Sequence, residues 1–408
     1  MPTPQIRQIL TQYRADVAQE LTGNILPFYP NHMIDHAHGG FVGRIANDLT
    51  VAPRAPKGLI QVSRILWTFA HAARITHDPA YLAMAERALA DLAVHFWDKK
   101  AGGFFWTVDY RGRPVKRFKM VYGQAFGLYG LAEHFLATGN AQSLDRAVAL
   151  FHLLEEHTVD PVQGGYWEAC SQGWMPDASL AVDTVDQPVA KSMNTHLHML
   201  EAYTTLLLAW PSDEVRARLR ALIRLTIDHI IDPVSGHFRL HFDTEWRSLN
   251  QHVSYGHDIE GSWLLVEAAE LLGDPALLAE AKTVGRHMAQ VALAEGLDED
   301  GGLFNEGGPD GVPSLNSPKE WWPQAEAMVG FFNAYQLTGD PHFLDASLAV
   351  WRYTQRAIVD HEHGEWFWGV TPTGAPLAKD KSGPWKAPYH NGRACMELMH
   401  RIDALLAA

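Results

Sequence analysis

Apolar residues recur with the helical period of three to four positions along most of the chain. The clearest case covers residues 79–97, where apolar side chains stand at Tyr81, Met84, Ala85, Ala88, Leu89, Leu92 and Phe96. Residues 6–27 show a similar one-sided pattern, whereas the run from Leu264 to Leu272 is apolar almost all round. A one-sided pattern is typical of a surface helix and an all-round pattern of a buried one. We therefore expect an all-α protein with inner and outer helices.

Residues that end helices punctuate this pattern. Gly, Asn and Pro stop helices and form tight turns. They do so in Thr76-His77-Asp78-Pro79, Thr138-Gly139-Asn140, Trp210-Pro211-Ser212-Asp213, Leu272-Gly273-Asp274-Pro275 and Thr338-Gly339-Asp340-Pro341. Each of these turns is predicted to join the two helices of a pair.

A second signature, glycine followed by an aromatic residue, alternates with these turns. It reads His38-Gly39-Gly40-Phe41, Gly102-Gly103-Phe104-Phe105-Trp106, Gly164-Gly165-Tyr166-Trp167, Gly236-His237-Phe238, Gly301-Gly302-Leu303-Phe304 and Gly364-Glu365-Trp366-Phe367-Trp368. The successive spacings are 63, 62, 72, 65 and 63 residues, counted between Gly39, Gly102, Gly164, Gly236, Gly301 and Gly364. Six copies at a nearly constant period are an internal repeat.

Each repeat reads helix, tight turn, helix, then a short Gly-aromatic hairpin. A helix pair cannot bury its apolar face alone, so six pairs must stack on one another. The all-round apolar character of the inner helices favours closure into a ring over an open solenoid. We predict an (α/α)6 barrel that forms a single domain over residues 1–408, with the hairpins at one end.

Composition narrows the possible partners. The chain of 408 residues is 47% hydrophobic and 20% charged, with a net charge of −14 that argues against nucleic acid or an anionic membrane as partner. Its two cysteines, Cys170 and Cys395, imply no disulfide framework. No signal-peptide pattern or membrane-length apolar run is visible. The predicted location is the cytoplasm, and the predicted state is a monomer or weak homodimer.

Unusual polar and aromatic residues collect where each inner helix begins. They are Arg64, Tyr122, Gln124, Asn194, His196, His198, His257, Glu260, Trp263, Trp321, Trp322, Gln324, Glu326, Trp385, Tyr389 and His390. Arg64, Glu260 and Glu326 each stand 14 residues before the aspartate of the following turn. Because equivalent positions in a closed barrel converge on one end of its axis, these residues are predicted to line one pocket.

Some of these residues also have a purely structural interpretation. Arg64 could pair with Glu260 or Glu326 inside the barrel, since a buried charge needs a partner. His196 and His198 are two apart and cannot share a helical face, so one of them is expected to be structural. We predict no metal site.

Two reaction types fit this set of residues. A glycoside hydrolase needs two carboxylates that flank the scissile bond, a role open to Glu260 and Glu326. Hydrolysis, however, has no use for three histidines in equivalent positions. Imidazole titrates near neutral pH and suits proton transfer at carbon. Abstraction of the proton beside a sugar aldehyde gives an enediolate, whose oxygens Arg64 and a histidine could stabilise.

Three motifs carry a family resemblance that runs from His38 to Ala394. They are Ser192-Met193-Asn194-Thr195-His196-Leu197-His198, Gly256-His257-Asp258-Ile259-Glu260 and Trp322-Pro323-Gln324-Ala325-Glu326-Ala327. The sequence resembles the N-acylglucosamine 2-epimerase superfamily, and within it the cellobiose 2-epimerases. The resemblance implies an (α/α)6 barrel, no required cofactor, and reversible inversion at C2 of a reducing-end glucose in β-1,4-linked disaccharides. Gly261-Ser262 departs locally from the Ala-Ser of many members.

The resemblance also implies roles for individual residues. It makes His257 and His390 the acid/base pair that opens the ring and moves the C2 proton through a cis-enediolate. His198 would be a third essential histidine, and Arg64 would hold the oxyanion. Substrate-binding roles fall to Glu260 and Glu326, which fix hydroxyls and orient histidines, to the stacking residues Trp322 and Trp385, and to Tyr122, Asn194 and Asp186.

The substrate stays open at this point. Relatives with nearly the same histidines act on mannose or glucose, as 2-epimerases or as aldose–ketose isomerases. A glycoside hydrolase and a non-catalytic sugar-binding protein are the remaining alternatives.

Overall fold

The computed structural model describes residues 2–181, 188–249, 251–308, 312–313 and 317–407. In chain order its α-helices are α1 (Pro4–Glu20), α2 (Leu26–His32), α3 (Leu59–Thr76), α4 (Pro79–Asp91), α5 (Val121–Thr138), α6 (Ala141–His157), α7 (Met193–Ala209), α8 (Asp213–Leu225), α9 (Tyr255–Leu272), α10 (Pro275–Val291), α11 (Trp321–Thr338), α12 (Pro341–Tyr353) and α13 (Tyr389–Ala407). A π-helical segment, Leu21–Ile25, joins α1 to α2.

The helices form two concentric layers. The inner helices are α3, α5, α7, α9, α11 and α13, and each packs against the next until α13 contacts α3 and closes the ring. Fourteen of the 18 residues of α9 are buried, whereas the outer helix α8 buries four of its 13. The predicted (α/α)6 barrel is therefore confirmed, as is the distinction between inner and outer helices.

The predicted tight turns join five inner helices, α3, α5, α7, α9 and α11, to the outer helices that follow them. Four inner helices end on a left-handed residue, namely His77, Gly139, Gly273 and Gly339. The outer helix then starts on a side chain that accepts a hydrogen bond from a backbone N–H of the first turn. These N-terminal caps are Asp78, Asn140, Ser212, Asp274 and Asp340.

Five outer helices, the one formed by α1 and α2 among them, contain a π-helical segment. Its wider turn accommodates one extra residue in the helix. The segments are Leu21–Ile25, Leu92–Phe96, Thr226–Ile230, Ala292–Gly296 and Thr354–Ile358. After each of the last four segments, the next residue is the first partner of the bridge that closes the following hairpin. These residues are Trp97, Ile231, Leu297 and Val359. The sequence pattern did not reveal these segments, because a π turn shifts the helical period by only one position.

All six Gly-aromatic signatures form the predicted hairpins. Each is closed by an antiparallel bridge: Ile34–Phe41, Trp97–Phe104, Val159–Tyr166, Ile231–Phe238, Leu297–Leu303 and Val359–Trp366. The first glycine of every copy has a φ between 70° and 88°, in the left-handed region that side chains disfavour. The recurrence of glycine is thus explained by backbone conformation.

Short strands link neighbouring units around this end of the barrel. The strands are β1 (Lys57–Gly58), β2 (Thr107–Val108), β3 (Pro114–Lys116), β4 (Lys119–Met120), β5 (Ala169–Cys170), β6 (Lys191–Ser192), β7 (His241–Phe242), β8 (Val253–Ser254), β9 (Glu306–Gly307), β10 (Lys319–Glu320) and β11 (Gly369–Val370). The strand before an inner helix pairs antiparallel with the strand after the next hairpin, as β4 does with β5. β2 pairs with β1 on one side and with β3 on the other, so these three strands form a small sheet in the order β1-β2-β3.

Buried aspartate–lysine pairs reinforce these links. In four of the five pairs the aspartate caps the hairpin turn, as Asp98 does by accepting from the N–H groups of Lys100 and Ala101. Asp298 accepts from the N–H group of the adjacent Glu299 instead. The other oxygen of the aspartate accepts from a lysine that precedes the next inner helix, such as Lys119 at 3.1 Å. The lysine stands two residues before that helix in four of the pairs, and Lys381 stands eight residues before α13. The pairs are Asp35–Lys57, Asp98–Lys119, Asp160–Lys191, Asp360–Lys381 and the partly exposed Asp298–Lys319. The spacing of aspartate to glycine carries this signal, but the sequence analysis did not use it.

Replacing one member of such a pair should destabilise the fold. Lys119→Met leaves the Asp98 carboxylate buried without its cation, and we expect the free energy of unfolding in urea to fall by about 3 kcal/mol. Arg113→Met is the matched control, because Arg113 pairs with Asp109 while its side chain is 70% exposed. The loss there should stay below about 1 kcal/mol. Equal losses in the two variants would contradict a structural role for the buried pair.

Candidate active site

A cavity of about 220 Å³ lies among the first turns of the inner helices, at the hairpin end of the barrel. Its lining residues are Arg64, Tyr122, Asn194, His198, His257, Glu260, Glu320, Trp321, Trp322, Trp368, Trp385 and His390. Six residues that were predicted to line the pocket lie outside this lining: Gln124, His196, Trp263, Gln324, Glu326 and Tyr389. Of these, Glu326 contacts His390 from behind, and the predicted Asp186 falls outside the described part of the chain. Residues from six helices or their flanks thus meet in one pocket, as the repeat register predicts.

Each pocket histidine has its Nδ1 within hydrogen-bond distance of an oxygen. The pairs are His198 with Glu201 at 3.0 Å, His257 with Ser254 at 2.7 Å, and His390 with Glu326 at 2.6 Å. A carboxylate only accepts, so the rings of His198 and His390 carry their proton on Nδ1. In a neutral imidazole with its proton on Nδ1, the Nε2 atom is the nitrogen suited to accept a proton from a ligand.

His390 is held in its neutral form. Burial lowers the pKa of His390 well below its ordinary value, and the nearby cations Arg64 and Arg393 lower it further. Its ring lies 5.7 Å from that of Trp322, which also contacts His257 at 4.6 Å between ring centroids. The two proposed acid/base residues therefore share one indole as a neighbour.

Arg64 does not pair with either of the glutamates considered for it. It donates to the Trp385 carbonyl oxygen at 2.6 Å and to the Tyr122 hydroxyl at 2.9 Å. Its guanidinium also lies 4.6 Å from the centre of the Phe126 ring. Among the described residues, no carboxylate forms an ion pair with Arg64, so the positive charge stays in the pocket wall.

Arg393 pairs with those glutamates instead. Its Nη2 donates to Glu260 and to Glu326, both at 2.7 Å, and its Nη1 donates to Glu201. Burial and the neighbouring Glu326 raise the pKa of Glu260 to about 7, although Arg393 opposes the shift. The pKa of Glu326 is also raised, mainly by burial.

This geometry weakens the glycoside-hydrolase alternative. A glycosidase places its two carboxyl groups on either side of the scissile bond, at least about 5 Å apart. Here the paired oxygens of Glu260 and Glu326 lie within 4.8 Å of one another and bind the same guanidinium nitrogen. Glu326 also accepts from the Trp263 indole N–H at 3.3 Å, so both its oxygens are occupied.

The same oxygens and His390 form a group with spacing suitable for a metal ion. Arg393 already supplies the positive charge between the two carboxylates, and His390 Nδ1 donates to one of them. These donors therefore fit an ion-pair network better than a cation site. The absence of a metal remains a prediction.

His196 is the structural histidine of the His-x-His pair. Its Nε2 accepts from the Tyr166 backbone N–H at 2.9 Å, and burial lowers its pKa to about 4. Gln124, Asp258 and Gln324 occupy equivalent positions and bind the hairpin backbone in the same way. At this position of the repeat, the side chain therefore supports the hairpin. The position two residues later, that of His198, faces the pocket.

Aromatic rings extend the site towards its mouth. Trp385 is 40% exposed and lies 5.5 Å from Trp106 between ring centroids. Trp321 is buried against Trp368 at 4.7 Å, whereas Trp322 is partly exposed beside His257. The mouth therefore presents flat apolar surfaces next to the polar interior.

Sequence reasoning missed two residues that organise the pocket. Glu201 binds His198, Tyr389 and Arg393, and Arg393 binds three glutamates. Arg393 stands one repeat after Glu326, so the register applied to Glu260 and Glu326 would also have found it. Glu201 follows His198 by three residues on α7, a spacing that the sequence analysis did not use, and its other partners, Tyr389 and Arg393, lie on α13.

Comparisons with known proteins agree with this architecture. The family model for N-acylglucosamine 2-epimerase matches residues 39–394. A cellobiose 2-epimerase from Bacteroides fragilis is 41% identical over 387 residues, covering 95% of this chain and 98% of that protein. One from Dictyoglomus turgidum is 36% identical, with the same coverage of both chains.

A solved structure supports the same relationship. Cellobiose 2-epimerase from Spirochaeta thermophila is 42% identical and superposes with a TM-score of 0.91, covering 99% of this chain and all of that one. Within the described residues, every helix is too short or too polar to cross a lipid bilayer. With a family model that matches most of its length and relatives above 40% identity, the chain belongs to the N-acylglucosamine 2-epimerase family.

Proposed function

We propose that the protein is an isomerase, a carbohydrate 2-epimerase that inverts C2 of the reducing-end glucose in β-1,4-linked disaccharides such as cellobiose and lactose. Support comes from full-length similarity to proteins named cellobiose 2-epimerase. The observation that carries the proposal is a pocket in which three histidines, one arginine and buried carboxylates converge.

The pocket offers unsatisfied polar atoms that suit a sugar. Four lining residues have a buried atom that lacks a hydrogen-bond partner among the described residues: Arg64 Nε, Asn194 Oδ1, Glu260 Oε2 and Trp321 Nε1. A buried polar atom without a partner is costly and requires an explanation. Donors and acceptors of a polyhydroxylated ligand would satisfy them.

The proposed reaction needs only proton transfers. The sugar ring opens first, by protonation of the ring oxygen and loss of the hydroxyl proton at C1. One histidine of the His257–His390 pair then removes the C2 proton. The electron pair of the broken C2–H bond forms the C1–C2 double bond, and the π pair of the C1 carbonyl moves to its oxygen, which gives a cis-enediolate. Arg64 and His198 stabilise the oxyanion. The other histidine returns a proton to the opposite face of C2, and the ring closes on the epimer.

The binding residues follow from the same arrangement. Glu260 accepts from a sugar hydroxyl through its unsatisfied oxygen, and Glu326 orients His390. Trp322 and Trp385 stack on sugar faces, Tyr122 and Asn194 bind hydroxyls, and Asp186 is retained as a predicted contact. The exposed Trp385 at the mouth favours a disaccharide over a monosaccharide, because a second ring would reach it.

Product analysis tests the reaction directly. Incubation with cellobiose in D2O should yield glucosyl-mannose with deuterium at C2, detected by NMR. Mannose and N-acetylglucosamine run in parallel should react more slowly, if at all. A ketose without a mannose-ended product would instead mean aldose–ketose isomerisation. Free glucose without deuterium would mean hydrolysis, and calorimetric binding without turnover would mean a sugar-binding protein.

Both members of the acid/base pair should be indispensable. His257→Ala and His390→Ala should each lower kcat by at least about 100-fold, the usual contribution of a general acid or base. Their melting temperatures should stay within a few degrees of the original, measured by differential scanning fluorimetry. The exposed His361 provides the control, since His361→Ala should keep full activity. Retained activity in either pocket variant would remove that histidine from the mechanism.

The pH profile should report the ionisation of Glu260. Because the pKa of Glu260 is raised to about 7, its carboxyl loses the proton only near neutral pH. If the ionised oxygen accepts from the sugar, kcat/KM rises with pH through about 7 and then levels. Glu260→Gln should lower kcat/KM and remove this limb. Persistence of the same limb in the variant would assign it to another group.

A further inference from the structure

Arg393 connects residues from four inner helices. It lies in the second turn of α13, is 1% exposed, and donates to Glu201 on α7, Glu260 on α9 and Glu326 on α11. One guanidinium thus faces three carboxylates. Its planar fork of five N–H donors can hold several carboxylates in defined orientations, which a lysine ammonium cannot do.

Two of these carboxylates also form hydrogen bonds with pocket histidines. Glu201 accepts from His198 Nδ1 at 3.0 Å, and Glu326 accepts from His390 Nδ1 at 2.6 Å. Which ring nitrogen of a histidine carries the proton is set by the hydrogen bond that the other nitrogen makes. The two histidines therefore share one anchor, although they lie on different helices.

Arg393 and Arg64 also contact the same aromatic ring, that of Tyr389. The centroid of this ring lies 4.4 Å from the guanidinium group of Arg393 and 5.1 Å from that of Arg64. The Tyr389 hydroxyl donates to Glu201 and accepts from Arg393. Replacing Arg393 would thus change the hydrogen bonds of the glutamates that bind both histidines, and also the packing of the Tyr389 ring that contacts Arg64.

We infer that Arg393 is a positioning residue which, through Glu201 and Glu326, holds His198 and His390 together in the tautomer protonated on Nδ1. It touches no substrate, and its effect on turnover rests on the proposed function of those histidines. The tautomers themselves are a property of the free protein and can be measured without a substrate.

The surrounding charges explain why the anchor must be cationic. Burial raises the pKa of Glu201, but Arg393, followed by His198, outweighs it and holds that pKa below its ordinary value. Arg393 also opposes the raised pKa of Glu260 and of Glu326. The groups that face this cluster are Tyr129 from α5, Glu201 and His198 from α7, Glu260 and Glu267 from α9, Glu326 from α11, Arg64 from α3, and Tyr389, His390 and Arg401 from α13.

Loss of the guanidinium would reverse the hydrogen bonds. Without Arg393, the buried carboxylates would take up protons near neutral pH, because their charges would be uncompensated. A protonated carboxyl group donates, so each imidazole Nδ1 would become an acceptor and its proton would move to Nε2. The nitrogen suited to accept a substrate proton would then be blocked in both rings.

The test compares Arg393→Met, Arg393→Lys and Arg401→Met. Arg401 is the matched control because it lies on the same helix and contacts the same Trp263 ring, but binds Glu397, Asn333 and Gln336.

In ¹⁵N-histidine NMR spectra of the free protein, Arg393→Met should switch the signals of His198 and His390 together. With cellobiose, kcat should fall by at least about 100-fold while KM changes much less. Arg393→Lys should recover part of both, and Arg401→Met should alter neither.

A second variant keeps the inference testable if Arg393→Met fails to fold. In Glu201→Gln, the amide oxygen should face the two donors Arg393 and Tyr389, which leaves the NH2 group towards His198 Nδ1. The tautomer of His198 alone should then switch, while His390 keeps its own. Unchanged tautomers in Arg393→Met or in Glu201→Gln would overturn the inference. A wild-type protein with these tautomers but no epimerase activity would instead refute the proposed function.

Discussion

Compensation of three buried carboxylates by one guanidinium is the interaction on which the pocket depends. Moving a single carboxylate from water into a protein interior costs several kcal/mol, and neighbouring carboxylates repel one another in addition. Glu201, Glu260 and Glu326 are each at most 4% exposed, so solvent contributes little to their stabilisation. Arg393 makes this density of negative charge possible, and the charge in turn orients the imidazoles.

This requirement explains why the barrel must close. The three glutamates come from α7, α9 and α11, and the arginine comes from α13, so none of the ion pairs is local in sequence. Only a ring with the correct register brings them to one level of the axis. The hairpin bridges and buried aspartate–lysine pairs hold that register from outside, at the end where the pocket lies. Scaffold and site are thus coupled through geometry.

The sequence was sufficient for the architecture because its signals are periodic. Left-handed glycines, helix-ending turns and apolar stripes repeat at a nearly constant interval, and each has a local physical cause. The pocket residues could be located for the same reason, since Arg64, Glu260 and His198 occupy related register positions. Which charges pair with one another inside the pocket depends on contacts between distant helices, which the repeat does not specify. Glu201 therefore looked like an ordinary helical glutamate, and the pairing of Arg64 with glutamates, considered from sequence, is replaced in the structure by that of Arg393.

The way the ring is closed has a consequence for assembly. The first helix packs against the last one, where Arg7 donates to the Leu406 carbonyl oxygen and Arg14 pairs with Asp403. His390 and Arg393 lie on that last helix. The glutamates of α7, α9 and α11 therefore obtain their cation only where α13 packs between α11 and α3. Maturation of the site and completion of the fold are consequently one event.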